Sequence, residues 1–276
     1  MNDAVTAPQD STLLNLNTPM LAISHLRKVY ESSGRTVEAI GDVSFSVRER
    51  ELVCIVGPSG AGKTTLLRCI AGLLAPTSGE IQLSGNPVSG PSPGMAVVFQ
   101  EYGRSLFPWM RVAENVELPL KEKGKPAAER RRLVAESLEA VGLRDARKAY
   151  PWQLSGGMQQ RVAIARAIAY EPKVLLMDEP FASVDAQTRA ELEDLVRAIW
   201  ARLGVTIVFV THDIDESVYL GDRVVVLSAS PTTVMQDVHI DLGHDRDQLK
   251  TRADARFGEL RSLIYTLIKG AKQVAR

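Results

Sequence analysis

The sequence is poor in cysteine, in aromatic residues and in long apolar runs. Two cysteines, Cys54 and Cys69, are too few for a disulfide framework, and neither stands in a CxxC or Cys/His ligand spacing. A reducing compartment is therefore expected. The first twenty residues hold no basic region followed by an apolar one, so no secretory signal is read there. No apolar stretch approaches the roughly 18–20 residues that a membrane-spanning helix needs, so any service to a membrane has to pass through a spanning partner. Neither charge sign dominates: 33 Lys+Arg balance 33 Asp+Glu. That balance removes the bulk electrostatic case for nucleic acid, and no nucleic-acid partner is expected.

What remains is the composition of an ordinary globular protein, 45% hydrophobic and 24% charged over 276 residues. This length allows one large domain with a lobe or two modest ones. Residues 1–18 are polar and aperiodic, as in a flexible leader. Strand signals begin over Leu21–Tyr30 and return as a period-two alternation in Val43–Val47, the pattern of a half-exposed antiparallel layer. Leu52–Val56, Val174–Met177 and Val205–Val210 are instead continuous apolar runs, as in parallel strands buried on both faces, with helical stretches between them. The expected fold class is α/β. Between Gln100 and Arg161 no buried strand is read, and one helix stands out: Pro126 opens it, Val134, Leu138 and Val141 recur at i, i+4, i+7, and Gly142 closes it. A helical lobe at about 100–165 is expected, inserted into a core spanning 19–230. Residues 231–276 read as a polar segment followed by an amphipathic helix carrying Phe257, Leu260, Ile264 and Leu267, which is expected to dock on its own domain.

Gly57-Pro58-Ser59-Gly60-Ala61-Gly62-Lys63-Thr64 fits G-x-x-x-x-G-K-[ST], between a buried strand and the helix Thr65–Ile70. Glycines let the backbone wrap a phosphate chain, so that N–H groups from about Gly60 to Thr65 point inward. Lys63 is placed to reach the β- and γ-phosphates and the Thr64 hydroxyl to ligate Mg²⁺. The expected core is that of a P-loop NTPase, a mixed sheet flanked by helices with an antiparallel β layer. Asp178 and Glu179 follow the buried run Val174–Met177, where α/β sheets bind ligands. Asp178 suits Mg²⁺, a hard cation that keeps several waters. Glu179, one residue further, is placed to deprotonate an attacking water. Leu154-Ser155-Gly156-Gly157-Met158 opens a helix continuing through Ile168, and a serine with two glycines at a helix start offers free N–H groups to a second anion.

At this point the chain resembles the ATP-binding cassette family, whose signature LSGGQ is matched with Met158 in the fifth place. The resemblance covers roughly 21–230. It implies that Tyr30 stacks on adenine, that Gln100 is the glutamine joining core to lobe and touching metal and water, that Asp185 belongs to the D-loop, and that His212 senses the γ-phosphate. It implies ATP and Mg²⁺ as ligands. It also implies a nucleotide held between the phosphate loop of one cassette and the Ser155–Gly157 helix start of another, with Gly157 and Met158 read as structural more than chemical. With one loop and one signature per chain, the simplest assembly is a homodimer under a transmembrane permease at the cytoplasmic face of the bacterial inner membrane. A periplasmic or lipid-anchored solute-binding protein would serve it indirectly.

The stretches Val98–Leu120 and Thr211–Val224 are similar to the branch that imports nitrate, sulfonate, taurine and bicarbonate. The segment after Ser230 is too short and too helical for the regulatory β-domain of many sugar importers. Phe107 and Trp109 are read as anchors for a permease helix or as a cap on the lobe's own core. The basic stretch Lys121–Lys125 with Arg130–Arg132 reads as a solvated helix face. Tandem cassettes, long coiled coils and zinc insertions, the marks of cassette ATPases acting on nucleic acid or ribosomes, are not seen.

Overall fold

The computed structural model describes residues 18–32 and 35–274; the polar leader, except for its last residue, lies outside the described residues. Strands β1 (Leu21–Ser32) and β2 (Arg35–Val47) pair antiparallel, and β3 (Leu52–Val56) leads through the phosphate loop into helix α1 (Lys63–Ile70). β4 (Ser78–Leu83), β5 (Asn86–Pro87) and β6 (Met95–Val98) follow. The lobe comprises α2 (Tyr102–Ser105), α3 (Val112–Glu122), α4 (Ala127–Ala140) and α5 (Gly156–Ala169). The chain re-enters the core with β7 (Val174–Asp178), α6 (Ala186–Leu203), β8 (Thr206–Val210), α7 (Ile214–Leu220), β9 (Arg223–Leu227) and β10 (Thr232–His239). It ends on α8 (Lys250–Ala253) and α9 (Ala255–Val274).

The strands form one sheet in the order β5-β4-β1-β2-β10-β9-β3-β8-β7-β6. Its β9-β3-β8-β7-β6 part is parallel throughout. β4, β1 and β2 pair antiparallel and form the layer that the period-two pattern of Val43–Val47 foreshadows. Every residue of β3, β7 and β8 is buried, which is why these strands read as unbroken apolar runs. Their alternating side chains feed two cores. Cys54, Met177 and Phe209 face the lobe and α9, while Ile55, Leu176 and Val208 face α1 and the β1–β2 layer. The α/β core with an antiparallel layer and a helical lobe is the fold the chain adopts.

Two elements depart from the sequence reading. The lobe has a second long helix, α3, despite Pro119 inside it; Val112, Val116 and Leu120 lie buried on one face of that helix in the lobe's core. The segment after Pro231 is not a plain polar tail. Residues 232–239 are β10, which joins β9 antiparallel and β2 parallel, so the sheet continues past residue 230. α9 docks as expected, with Phe257, Leu260 and Ile264 in the core and Leu267 packed against it. In the basic stretch Lys121 pairs with Glu117, Lys125 with Glu129 and Glu171, and Arg132 with Glu136, a solvated and neutralised surface.

Candidate active site

The parallel register sets the site. Val210 on β8 pairs with Ile55 on β3 and with Asp178 on β7. The phosphate loop, Glu179 and Thr211-His212 therefore leave the sheet side by side at its carboxyl edge. Residues Ser59–Thr65, Glu179 and His212 line one open cleft of about 580 Å³, with Val37, Ala39 and Ser230 on its wall.

Within the loop Gly60 has φ +78° and Gly62, the N-cap of α1, φ +70°, a region that favours glycine. A Cβ on Gly62 would also lie 3.1 Å from the Ala39 carbonyl. Lys63 is buried, and its Nζ donates to the carbonyls of Gly57 at 3.1 Å and Pro58 at 3.2 Å. It lies 3.8 Å from Glu179 Oε1. Burial lowers the Lys63 pKa, and the neighbouring Glu179 opposes that shift. Thr64 Oγ1 donates to Asp178 Oδ1 at 3.2 Å. Burial raises the Asp178 carboxyl pKa, against the pull of the Thr64 hydrogen bond.

Glu179 has φ +43°, a strained conformation for a non-glycine residue, held by its N–H donating to the Val210 carbonyl at 2.9 Å. His212 Nδ1 lies 2.9 Å from Glu179 Oε2. Lys63, Glu179 and His212 thus form one line of contact across the cleft. Tyr30 stands beside α1, its hydroxyl 3.2 Å from Thr65 Oγ1, with Lys28 Nζ 5.3 Å from the ring centroid. Thr64 and Asp178 present adjacent hard oxygens, and among the described residues no cluster of three or more His, Cys, Asp or Glu could hold a metal ion. Such a pair fits Mg²⁺, which takes its remaining ligands from phosphate and water.

Other residues singled out from the sequence lie apart from this cleft. Gln100 is exposed just beyond β6. Ser155 caps α5, accepting the Met158 N–H at 3.3 Å, and it and Gly156 are exposed. Gly157 is buried, and a Cβ there would meet Thr188 Cγ2 at 2.4 Å. Asp185 caps α6, accepting the Thr188 N–H at 3.0 Å and the Thr188 hydroxyl at 2.7 Å, and these bonds hold its carboxyl below the usual range. The two helix starts are therefore packed on one another through Thr188, a residue no motif marks.

In the lobe Asn115 is fully buried. Its Oδ1 accepts the Phe107 N–H at 2.8 Å, and its Nδ2 donates to the carbonyls of Phe107 and Met110, each at 3.1 Å. This knot presents Trp109 71% exposed, its ring 5.4 Å from the partly buried Phe107 ring. Trp109 does not cap the lobe's core.

The ABC transporter family model matches residues 40–182. A nitrate import ATP-binding protein of Synechocystis sp. is 44% identical over 91% of this chain and 95% of its own length. A taurine import ATP-binding protein of Roseobacter denitrificans is 41% identical over 90% and 93%. Among solved structures, a dimeric ATP-binding cassette in a post-hydrolysis state with ADP and phosphate superposes with a TM-score of 0.71 at 32% identity, over 81% of this chain and all of that one.

Proposed function

The chain belongs to the ABC transporter family and is an ATPase, and from that premise we propose that it is the motor subunit of an importer for a small solute of the nitrate, sulfonate or taurine kind. The observation that carries this reading is the line of contact from Lys63 through Glu179 to His212 in a cleft floored by the phosphate loop.

The loop amides receive the phosphates, save that of Ala61, which donates to the Pro58 carbonyl at 3.1 Å, and Lys63 exchanges its contacts with Gly57 and Pro58 for the β- and γ-phosphates. That exchange draws its charge away from Glu179, freeing the carboxylate to take a proton from the attacking water while His212 holds it in place. Thr64 and Asp178, with Gln100 reaching in from the lobe hinge, would hold Mg²⁺, which neutralises phosphate charge when bound. Tyr30 supplies a face for the adenine. Ser155, Gly156 and Gly157, with Asp185 beside them, lie outside the cleft of their own chain, which supports their use by a facing copy. The relative solved as a dimer supports a homodimer. The exposed Trp109 offers an anchor to a transmembrane permease. No described helix is long and apolar enough to cross a membrane, so attachment to the cytoplasmic face of the inner membrane runs through that permease, with a solute-binding protein supplying cargo from the other side.

The test is Glu179→Gln. Removing only the base leaves nucleotide binding intact, cuts phosphate release at least roughly 100-fold, and traps a Mg·ATP dimer visible by light scattering. Unchanged turnover would remove Glu179 from its role, and a variant that stays monomeric with saturating Mg·ATP and permease would remove the facing copy. Solute identity is tested by reconstitution with the permease: nitrate- or taurine-stimulated hydrolysis is expected, and stimulation only by an unrelated solute overturns the assignment.

A further inference from the structure

The turn between β9 and β10 lies against the underside of the phosphate loop, and no motif marks it. β10 and β2 pair only at Thr232 with Ile40 and Thr233 with Asp42, so this short parallel register delivers one side chain, Thr232, beneath the loop. Thr232 is fully buried. Its Oγ1 carries a single proton and faces two carbonyls; it donates to that of Ala61, with the Ala39 oxygen 3.0 Å away. The turn around it is fastened on both sides. Ser230 Oγ donates to the Glu38 carbonyl at 2.9 Å, and Ser228 Oγ accepts the Thr233 N–H at 2.9 Å. Pro231 lies so close to β2 that a Cβ on Gly41 would meet it at 3.2 Å.

The consequence follows from peptide planarity. The Ala61 carbonyl and the Gly62 N–H belong to one trans peptide unit and point in opposite directions. A hydroxyl that draws the Ala61 carbonyl down into the sheet junction thereby turns the Gly62 N–H up, toward the cleft that Gly62 lines. The peptide units on either side are held locally, the Ala61 N–H donating to Pro58 and the Gly62 carbonyl accepting from Leu66, while Thr232 holds the unit between them, at a glycine whose positive φ allows this orientation.

We propose that Thr232 is a positioning residue for phosphate binding: by holding the Ala61 carbonyl it aims the Gly62 amide at the nucleotide's phosphates. This inference rests on the loop being the nucleotide site, and the test separates the two. Thr232→Val keeps the shape and removes the donor, while Thr232→Ser keeps the donor. Binding of fluorescent ATP and ADP to the full chain should weaken roughly tenfold in T232V and stay within about twofold of wild type in T232S. Steady-state hydrolysis by T232V should show a raised KM with kcat little changed. If T232V fails to fold, T232A serves in its place.

Lys63→Ala is the control on the site itself. Normal binding by K63A would overturn the nucleotide assignment and the inference with it. Weak binding by K63A with wild-type affinity in T232V would overturn only the role of Thr232. A T232V protein with a lowered melting temperature but unaltered affinity of its folded fraction would likewise mean that the hydroxyl holds the sheet together and nothing more.

Discussion

Adding one methyl group at Gly157 should weaken the fold by an amount the geometry allows to be worked out. The new Cβ would sit 2.4 Å from Thr188 Cγ2, more than 1 Å inside the roughly 3.5–4.0 Å at which carbon atoms pack. Thr188 cannot rotate away freely, because its hydroxyl donates to Asp185 Oδ2 at 2.7 Å. Breaking that bond costs about 0.5–1.5 kcal/mol, and forcing extra volume into a packed contact about 1–3 kcal/mol. Replacing glycine in a helix returns at most about 1 kcal/mol. The net loss is about 0.5–3.5 kcal/mol, about 2 kcal/mol at the centre of the range, where melting temperature falls by about 4–8 °C for a chain of this size. Differential scanning calorimetry of G157A, T188S and the double variant forms the cycle. T188S removes the offending methyl and keeps the hydroxyl that donates to Asp185, so the double variant should recover to within about 0.5 kcal/mol of T188S alone. Gly258→Ala in α9, where nothing lies within 4 Å of the new Cβ, should instead stabilise by about 0.5–1 kcal/mol. If G157A proves as stable as wild type, or if T188S fails to rescue it, the packing of α5 on α6 is not what excludes a side chain.

Asn115→Ala strips hydrogen bonds from Phe107 and Met110; it should cost about 2–4 kcal/mol and speed proteolysis within residues 107–111, and an unchanged denaturation midpoint would contradict the knot. Glu216 is buried, and burial pushes its carboxyl pKa up to about 8, opposed by a hydrogen bond from Thr211 and nearby Arg189 and reinforced by Glu193 and Asp213. The native state then holds one proton more than the unfolded chain between about pH 4.5 and 8, so this group's contribution to stability is lost as pH rises through that window. Glu216→Gln should gain on wild type by at most ~4 kcal/mol between pH 5 and 8 in urea titrations, and parallel profiles would refute it. Ser155→Arg removes an N-cap worth about 1 kcal/mol and places bulk on the exposed helix start; nucleotide binding should persist while the Mg·ATP dimer of the E179Q background disappears, and a variant that still dimerises would put the second anion site elsewhere.

The placement of the candidate site was legible because its residues follow closely on buried apolar runs of the chain. A run such as Val174–Met177 announces a strand buried on both faces, and the residues that follow it must emerge at the sheet's carboxyl edge. Three such runs, leading into Gly57, Asp178-Glu179 and Thr211, therefore pointed to both the strands and the residues at their carboxyl ends. β10 gave no such signal. Only Thr232 and Val238 in it are buried, and it is held by ladder bonds to β9 and β2 that most side chains would permit. α3 was hidden for the opposite reason: Pro119 removes a backbone donor and argues for a break, and only the packing of Val116 and Leu120 in the lobe overrides that local preference.

The same distinction separates the groups proposed to act from those proposed to aim them. Lys63, Thr64, Asp178, Glu179 and His212 all lie at or shortly beyond the carboxyl ends of three predicted strands, so a local motif marks each of them. What fixes the direction of a loop amide is a carbonyl's partner, and that partner comes from wherever the topology brings a strand: Thr232 is 171 positions from Ala61 and 193 from Ala39. Thr188 meets Gly157 from the next helix, across the whole of β7. A phosphate loop read from glycines and a lysine thus specifies which donors exist. The angle at which they are presented belongs to the sheet order, and two chains sharing the motif but differing at the position of Thr232 should differ in nucleotide affinity with the same catalytic groups in place.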